Sequence, residues 1–434
     1  MPIEPLNETL SAFLRLAPQR KTGTQESEAA RHWIIQRLQS AGLTVEIEPF
    51  EYTIAASLSV VGTMLNAWGT ILLSLIAAAI NPWVGLAVLI ALNAFDFLIA
   101  PQFSRPIRKQ GVNVFAGVSR SWTAIMESKH PLVILTSHFD TAEAEPSWMR
   151  RLMANSDTYF SVAAVGLVLL ALFFLANGVL AWMPGAESIR SLLVTIWGYG
   201  LRWIVVLLGL PIVLTSTLWA FRGFISKGLI NPGADDNGSG VSVALGLVDS
   251  LKRISRDSDI NAAVAFFDGE EVGFQGSRHF VRKYSGSLKP ADTTIVNLDC
   301  VGRGDSLAVV VGQGMIQKLK TDPGVLSHWH RSCQNNSIET IDLWLTFLTG
   351  GSDQAAWLNR GFTRALTISH GKSVPKRART LLYRIFGIPA DPLDLDMSHL
   401  HSPMDTLEAI APQALEKTRT AVTHFIELLA AERR

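Results

Sequence analysis

The chain has 434 residues, of which 48% are hydrophobic and 17% are charged, and its formal net charge at pH 7 is +1. A net charge this close to zero excludes the broad basic surface of a nucleic-acid-binding protein. The two cysteines, Cys300 and Cys333, support neither a disulfide framework nor a cysteine zinc site. The positive mean hydropathy predicts instead that part of the chain lies in lipid.

The N-terminal part predicts a helix followed by a strand. Its first residues lack the continuous apolar run of a secretory signal, so we expect no such signal there. Apolar residues recur at helical spacing through residues 26–41, and Gly42 ends that run. Residues 43–50 then alternate apolar with acidic side chains, which is typical of a strand.

Four apolar runs predict helices that cross a membrane. Each is about as long as the roughly 20 residues needed to span a bilayer, and Asp96 is the one charged residue within them. The runs pair into two hairpins and occupy residues 53–80, 83–100, 160–183 and 203–220.

Basic residues mark the ends where these hairpins join the rest of the chain, whereas the hairpin tips carry little charge. They are Arg105, Arg108, Lys109, Arg150, Arg151, Arg222 and Lys227. This bias places the polar domain in the cytoplasm. The sequence therefore predicts an integral membrane protein of a bacterial inner membrane, held in the lipid bilayer by four helices.

Outside the hairpins the sequence alternates strands with helices. The closing helix is predicted at residues 412–431. The predicted strands lie at residues 111–118, 131–136, 261–267, 293–298 and 364–369. This alternation predicts an α/β sheet, and such sheets place their functional groups at the carboxyl ends of the strands.

Residues 231–240 combine turn formers with two adjacent carboxylates, Asp235 and Asp236. A helical apolar pattern follows at residues 238–252. A helix start offers free backbone N–H groups and the positive end of the helix dipole, which hold an ionised Asp in place. Taken alone, the segment is explained by an Asp cap on an ordinary helix.

Imidazole and carboxylate groups at other strand ends change that interpretation, because together they form a ligand set for metal ions. The candidates are His138, Asp140, Asp236, Glu270, Glu271, Asp299 and His401. Such ligands without a thiolate suit zinc, manganese or cobalt, and zinc is the usual ion in hydrolases. Two ions about 3.5–4 Å apart need one bridging carboxylate with ligands on either side, so five ligands are enough.

A bridging Asp236 completes both sites. His138 and Asp299 then bind the first zinc ion, and Glu271 and His401 bind the second. His399 is a rival of His401 two residues away, and we treat it as a bystander.

Two further residues are given catalytic roles. Asp140 lies two residues after His138 and is placed to hold the second ring nitrogen of that imidazole. Glu270 is unliganded and adjacent to a ligand, which is where a general base for a metal-bound water is expected.

In order and context, these motifs resemble the co-catalytic zinc aminopeptidases of metallopeptidase family 28. The resemblance covers roughly residues 25–50, 111–140 and 232 to the C-terminus. Its carriers are HFD at 138–140, GADDNGSG at 233–240, FDGEEVG at 267–273, NLD at 297–299 and HSPMDT at 401–406. It implies a mixed, mostly parallel sheet between helices with a zinc pair at the strand ends, and Asp236 rather than Asp235 as the bridge.

The resemblance and the apolar runs together divide the chain into a peptidase domain with two inserted transmembrane hairpins, which the secreted members of the family lack. The hairpins are expected at residues 53–101 and 159–222. The peptidase domain is expected at residues 1–52, 102–158 and 223–434, with the main catalytic part in the last segment.

Two departures from the family affect specificity. Gln354 stands where the family often has His, near the substrate pocket, and Leu400 stands where some members have a Tyr that stabilises the oxyanion.

The resemblance implies an aminopeptidase that hydrolyses small peptides through a metal-bridging water, with Glu270 as the general base, and the apolar runs add that it is membrane-anchored. One alternative is a di-zinc amidohydrolase for a lipid-like or N-acyl amino acid amide. A non-catalytic membrane scaffold ranks lower, because all five ligands and Glu270 are present. Related glutaminyl cyclases use a single zinc, and the full ligand set argues against that reaction.

Overall fold

The computed structural model describes residues 5–55, 81–94, 106–153, 156–201, 221–314, 317–346, 351–375 and 393–432, with isolated positions at 73, 76, 203–204, 207, 210, 214, 217–218 and 387. The chain divides into two compact units. The first comprises Met1–Tyr52, Lys109–Arg150 and Gly228–Arg434, and the second comprises Thr53–Arg108 and Arg151–Lys227. The division into five segments drawn from the sequence stays a prediction.

The strands form one large sheet and a small hairpin. They are β1 (Val45–Ala55), β2 (Pro106–Gly117), β3 (Leu132–His138), β4 (Asn261–Phe267), β5 (Thr293–Leu298), β6 (Ser306–Gln313), β7 (Leu319–Lys320), β8 (Thr340–Leu345), β9 (Ala365–Gly371), β10 (Ser373–Pro375) and β11 (Leu393–Leu395). The nine-stranded sheet has the order β1-β2-β4-β3-β5-β9-β6-β7, with β8 also paired to β6, and β10 pairs with β11. Strand β3 runs parallel to β4 and β5, and β5 runs parallel to β9. Strands β2 and β4, and β6 and β9, are antiparallel, which confirms a mixed α/β sheet.

Within the described residues, two helices precede the first strand, one long helix follows the last strand, and the others lie between strands along the chain. They are α1 (Leu6–Leu16), α2 (Gln25–Ser40), α3 (Pro82–Ala94), α4 (Trp122–Met126), α5 (Ser147–Met153), α6 (Ser156–Trp182), α7 (Glu187–Ile196), α8 (Arg222–Ile225), α9 (Gly240–Gly246), α10 (Val248–Asp257), α11 (Gln275–Tyr284), α12 (Pro323–Asn335), α13 (Gln354–Leu358) and α14 (Pro412–Ala431). The helix predicted at 238–252 is thus two helices, α9 and α10. At the end of α9, Gly246 packs so closely on α1 that a Cβ there would lie 2.3 Å from a carbon of Leu6.

The sheet of the first unit is buried on both faces. In β3, Val133 and Leu135 pack into one hydrophobic cluster, while Leu132 and Ile134 pack into the other. Helices α1, α2, α9, α10 and α14 contribute to the first cluster, and α11 and α13 contribute to the second. Helices on both faces explain why the central strands are continuous apolar runs rather than alternating ones.

The second unit contains α3, α6 and α7. Phe173 and Phe174 of α6 pack with Trp197, which follows α7, and the Trp197 ring stacks on that of Phe173 with centroids 4.0 Å apart. The Arg190 side chain of α7 donates a hydrogen bond to Asn177 of α6 at 2.9 Å. These contacts pack α7 against α6.

The prediction of four membrane-spanning helices is wrong for the described part of the chain, where no helix is both long and apolar enough to cross a bilayer. Helix α3 has 13 residues, which rise about 20 Å against a hydrocarbon core of roughly 30 Å. Side chains of α6 are described without a break only over residues 168–182. Most residues of the spans predicted at 53–80 and 203–220 lie outside the described residues.

An apolar run is ambiguous because side chains that pack against other helices are as apolar as side chains in lipid. In α6, Leu170, Phe173 and Phe174 are buried within the second unit, whereas Leu172 and Leu175 are exposed. The integral membrane location, the bilayer as a partner and the cytoplasmic side of the polar domain rested on those spans. All three are withdrawn with them.

Candidate metal centre

Four of the predicted site residues follow adjacent parallel strands. His138 is the last residue of β3, Glu270 and Glu271 come shortly after β4, and Asp299 follows β5 directly. Because β3 pairs in parallel with both β4 and β5, the carboxyl ends of the three strands meet at one edge of the sheet. The strands therefore bring these side chains together from three separate stretches of sequence.

Asp236 comes from a turn, Ala234–Ser239, before α9, and the backbone departs from the helical conformation at Asp236 and Asn237. Gly233 precedes the turn with φ at 58°, a left-handed conformation that glycine adopts without strain. The Asp405 carboxylate accepts the backbone N–H groups of Asp235 at 2.8 Å and Asp236 at 3.0 Å. These bonds fix the backbone from which the Asp236 side chain extends.

His401 comes from the loop after β11. Its backbone carbonyl accepts the N–H of Glu145 at 2.7 Å. In the same loop, Nε2 of His399 lies 2.9 Å from the buried carboxylate of Asp235. His399, which the sequence left as a bystander, therefore links the His401 loop to the turn that carries Asp236.

The two carboxylate oxygens of Asp236 face two different histidines. Oδ1 lies 3.4 Å from Nε2 of His138, and Oδ2 lies 3.1 Å from Nε2 of His401. Nε2 of His138 is also 3.5 Å from Oδ1 of Asp299, and Nε2 of His401 is 3.2 Å from Oε2 of Glu271. The structure thus brings the five predicted ligands into two triads that share Asp236, and the ligand atoms of each triad lie within 4.8 Å of one another.

The spacing and chemistry of these atoms fit zinc. Ligands about 2.0–2.2 Å from a tetrahedral ion lie about 3.3–3.6 Å apart, and the nitrogen–oxygen distances here are 3.1–3.5 Å. Cys300 is the neighbour of Asp299, but it belongs to neither triad. The donor set is therefore imidazole and carboxylate without a thiolate.

Asp140 organises the loop that carries Glu270 and Glu271. Its Oδ1 accepts the backbone N–H of Glu270 at 3.1 Å, and its Oδ2 accepts the N–H of Glu271 at 3.2 Å and the Thr22 hydroxyl at 3.1 Å. Oδ1 also lies 3.5 Å from Nδ1 of His138. Its role in orienting the imidazole stays a prediction, and the two backbone contacts are an addition that the sequence did not indicate.

Glu270 and Glu271 differ in their surroundings. Oε1 of Glu271 accepts the backbone N–H of Ala142 at 2.9 Å, while Oε2 faces His401. Glu270 is buried and belongs to neither triad. Burial, with the charges of Glu271 and Asp299, raises the pKa of Glu270 well above its usual value. A carboxylate with a raised pKa is a stronger proton acceptor.

The histidines and carboxylates also shift one another. Burial opposes charging of His401, but Glu271 and Asp236 raise its pKa to about 10. The pKa of His138 is raised as well, because Glu270 and the carboxylates bonded to it outweigh its burial. Burial likewise opposes ionisation of Asp236, yet the two histidines hold the pKa of its carboxyl far below the usual range.

Gln354 and the adjacent Asp353 are both fully buried. Gln354 was expected near the substrate pocket, but its buried amide lies 2.8 Å from the Thr321 hydroxyl and 2.9 Å from the Ala365 carbonyl. It therefore bonds to the sheet. Burial, with site carboxylates including Asp299, raises the pKa of Asp353 to about 7. Nothing in the sequence around Asp353 distinguishes it as a site residue.

The fold and the site together define an α/β protein with two carboxylate–histidine triads that share Asp236 and could hold metal. The model of Peptidase family M28 matches residues 221–426, a little under half of the chain. Aminopeptidase YwaD of Bacillus subtilis is 40% identical over 72 residues, which are 17% of this chain and 15% of that protein. The match thus spans less than a sixth of the length of that relative.

Two solved structures share the fold at low identity. A glutaminyl cyclase from Porphyromonas gingivalis has a TM-score of 0.51 and 13% identity, over 97% of this chain and 96% of that one. A zinc aminopeptidase from Bacillus subtilis has a TM-score of 0.50 and 15% identity, over 98% of this chain and 94% of that one. The family match and the curated relative support assignment to the metallopeptidases, and thus to the hydrolases.

Proposed function

We propose that the chain is a zinc-dependent aminopeptidase that hydrolyses the N-terminal peptide bond of small peptides. The observation that carries this proposal is the pair of triads sharing Asp236, with the buried carboxylate of Glu270 beside them but in neither. The aminopeptidases among the similar proteins, one of them described as a zinc aminopeptidase, support both the ion and the reaction.

The residues divide into two ligand sets. His138, Asp236 and Asp299 would hold one zinc ion, and Asp236, Glu271 and His401 would hold the other. Two such ions, when bound, polarise the carbonyl under attack and lower the pKa of water. The side chain of His401 is 28% exposed and that of Asp299 is 13% exposed, whereas that of His138 is 1% exposed. Substrate is therefore expected to approach from the side of His401 and Asp299.

The chain's own residues then supply orientation and proton transfer. Glu270 accepts a proton from the attacking water as the new carbon–oxygen bond forms, and it returns that proton to the amine that leaves when the peptide bond breaks. Asp140 holds the N–H groups of Glu270 and Glu271, which keeps the base in a fixed position relative to the ligand. The imidazole of His138 is held from its Nδ1 side by Asp140.

The alternative functions differ from an aminopeptidase in the residues or the substrate that they require. A non-catalytic scaffold would not need a buried general base beside a full ligand set. An amidohydrolase for N-acyl amino acids could use the same ligands, and its substrate would carry a blocked amine. A glutaminyl cyclase would release ammonia from an N-terminal glutamine without cleaving the chain.

The test is a substrate comparison on purified protein with measured zinc content. We expect hydrolysis of leucyl and alanyl reporters, loss of activity with a chelator and its return on adding zinc. The N-acetylated form of the same reporter is the matched control, and it should be inert. Hydrolysis of the acetylated reporter alone, or ammonia release from a glutaminyl peptide alone, would replace the aminopeptidase assignment.

A further inference from the structure

Arg20 lies between α1 and α2 and is fully buried. Its guanidinium donates four hydrogen bonds, and every acceptor is a backbone carbonyl. Nε donates to Phe139 at 2.7 Å, Nη1 to Ala17 at 3.1 Å and Pro232 at 2.9 Å, and Nη2 to Gly233 at 2.8 Å. The charged side chain of Arg20 thus binds main-chain carbonyls rather than forming an ion pair.

Two of these acceptors belong to segments that carry site residues. Phe139 lies between His138 and Asp140, and Gly233 begins the turn that leads to Asp236. The backbone of Arg20 adds a second attachment, because its N–H donates to the Thr141 hydroxyl at 2.9 Å and its carbonyl accepts the Thr141 N–H at 3.2 Å. One residue therefore joins the segment after β3 to the turn before α9.

The surroundings are shaped for a guanidinium group. A Cβ on Gly233 would lie 2.8 Å from Nη2 of Arg20 and 2.4 Å from the methyl group of Thr141. The Phe13 ring lies on another side, with its centroid 4.8 Å from Cζ of Arg20. A planar fork can reach carbonyls on separate segments at once, whereas the single nitrogen of a lysine cannot.

The charge of Arg20 also acts on the site. Burial lowers its pKa to about 10, while the nearby carboxylates, including Asp405, Asp140 and Asp236, favour the charged form. The group therefore remains a cation at neutral pH. In a site without metal ions, closely spaced carboxylates repel one another. A buried cation nearby offsets part of that repulsion.

We infer that Arg20 is a positioning residue that holds the His138–Asp140 segment and the Asp236 turn at the separation the two triads require. The activity readout of its test rests on the proposed function, but the metal-binding readouts do not. Outer partners of metal ligands typically change metal affinity or activity by about 10- to 100-fold when replaced.

The experiment compares Arg20→Lys and Arg20→Ala with the parent chain and with Arg15→Ala. Arg15 is an exposed arginine of the neighbouring helix, so its variant is a matched control. For each protein we would measure zinc affinity, the visible spectrum of the Co²⁺-loaded form, the melting temperature without metal and hydrolysis of the leucyl reporter. Guanidinium at low, non-denaturing concentration is added to Arg20→Ala to refill the space left by the side chain.

We expect Arg20→Lys and Arg20→Ala to lose zinc affinity by about 10- to 100-fold with a changed Co²⁺ spectrum, guanidinium to restore the alanine variant, and Arg15→Ala to match the parent. If Arg20→Ala does not fold, Arg20→Lys decides by the same criteria. Parental affinity and spectrum in the Arg20 variants, whatever their melting temperature, would overturn the inference. So would a folded alanine variant that guanidinium does not restore. A parent that binds zinc but cleaves no reporter counts against the proposed function alone.

Discussion

Glu270→Gln is the sharpest perturbation of the proposed mechanism, because it removes proton-accepting capacity while preserving size. The loop should survive the change, since the backbone N–H groups of Glu270 and Glu271 are held by Asp140 and not by the Glu270 side chain. Glu270 also lies outside both triads. We therefore expect parental zinc content and a parental melting temperature.

The size of the effect follows from the role. General-base catalysis typically contributes about 10²- to 10⁴-fold in rate, which corresponds to roughly 3–5 kcal/mol of transition-state stabilisation. Because Glu270 is assigned to proton transfer and not to ground-state binding, the loss should fall on kcat with little change in KM.

Glu271→Gln is the matched control, one residue away and identical in chemistry. Oε1 of Glu271 accepts the Ala142 N–H, a bond that the Gln side-chain oxygen can keep, while Oε2 faces His401 at 3.2 Å. Losing the carboxylate charge should lower zinc occupancy first and activity as a result. The assay counts zinc and measures kcat and KM on the leucyl reporter for both variants. Near-parental kcat in Glu270→Gln, or an exchange of the two phenotypes, would refute the reasoning.

Three further predictions follow from the same geometry. Asp236→Asn should weaken binding of both zinc ions whereas His138→Ala should weaken chiefly one, and two tightly held ions in Asp236→Asn by metal analysis would remove the bridge. Gly233→Ala should lower the melting temperature and the zinc affinity together. The φ of 58° at this position costs an L-residue about 1–2 kcal/mol, and the added Cβ would lie 2.4–2.8 Å from neighbouring atoms. A parental melting temperature or a parental zinc affinity would contradict this prediction. Far from the site, the hydrogen bond to Asp342 raises the pKa of His330, so the pair stabilises the fold fully below the unfolded pKa of about 6.5 and loses that effect as pH rises through the folded pKa. Both side chains are about a third exposed or more, so the pair should contribute at most about 1 kcal/mol. Asp342→Asn should lower the pKa of His330, and an NMR titration in which that pKa is unchanged would contradict the prediction.

The central strands were predictable because buried parallel strands are continuous apolar runs. Strands β4 and β5 have the bounds predicted from sequence, 261–267 and 293–298. Helix α1 was missed because no side chain caps its start, and its stability comes from burying residues such as Leu6 and Leu10 in the first hydrophobic cluster. The prediction of membrane spans was wrong although the local pattern was strong. A long apolar run does not show whether its side chains contact lipid or other side chains of the protein.

The same division between local and tertiary information applies to the site. Four of the five candidate ligands stood out because polar residues shortly after apolar strands or at a helix start are conspicuous in sequence, whereas His401 lies in a loop, within the HSPMDT motif. Asp405 lay inside the HSPMDT motif, yet its contacts with the Asp235 and Asp236 amides depend on two loops that are distant in the chain. Arg20 has no local signal at all, because each of its side-chain partners is a backbone carbonyl.

These contacts also explain why acidic residues occur here in adjacent pairs. In Asp235–Asp236 the second carboxylate faces the histidines, while the first accepts the Gly302 N–H at 2.7 Å and pairs with His399. In Glu270–Glu271 the second again faces a histidine, and the first is left for a different task. Neighbouring residues share one stretch of backbone, so fixing that backbone once sets the position of both side chains. The carboxylates of Asp405 and Asp140 fix the backbone of the first and second pair, respectively, by each accepting both N–H groups of that pair. Asp140 and Asp405 are not proposed ligands, but they fix the positions of residues that are. Replacing either of them should therefore displace the ligand side chains, and this displacement should matter more than the lost charge.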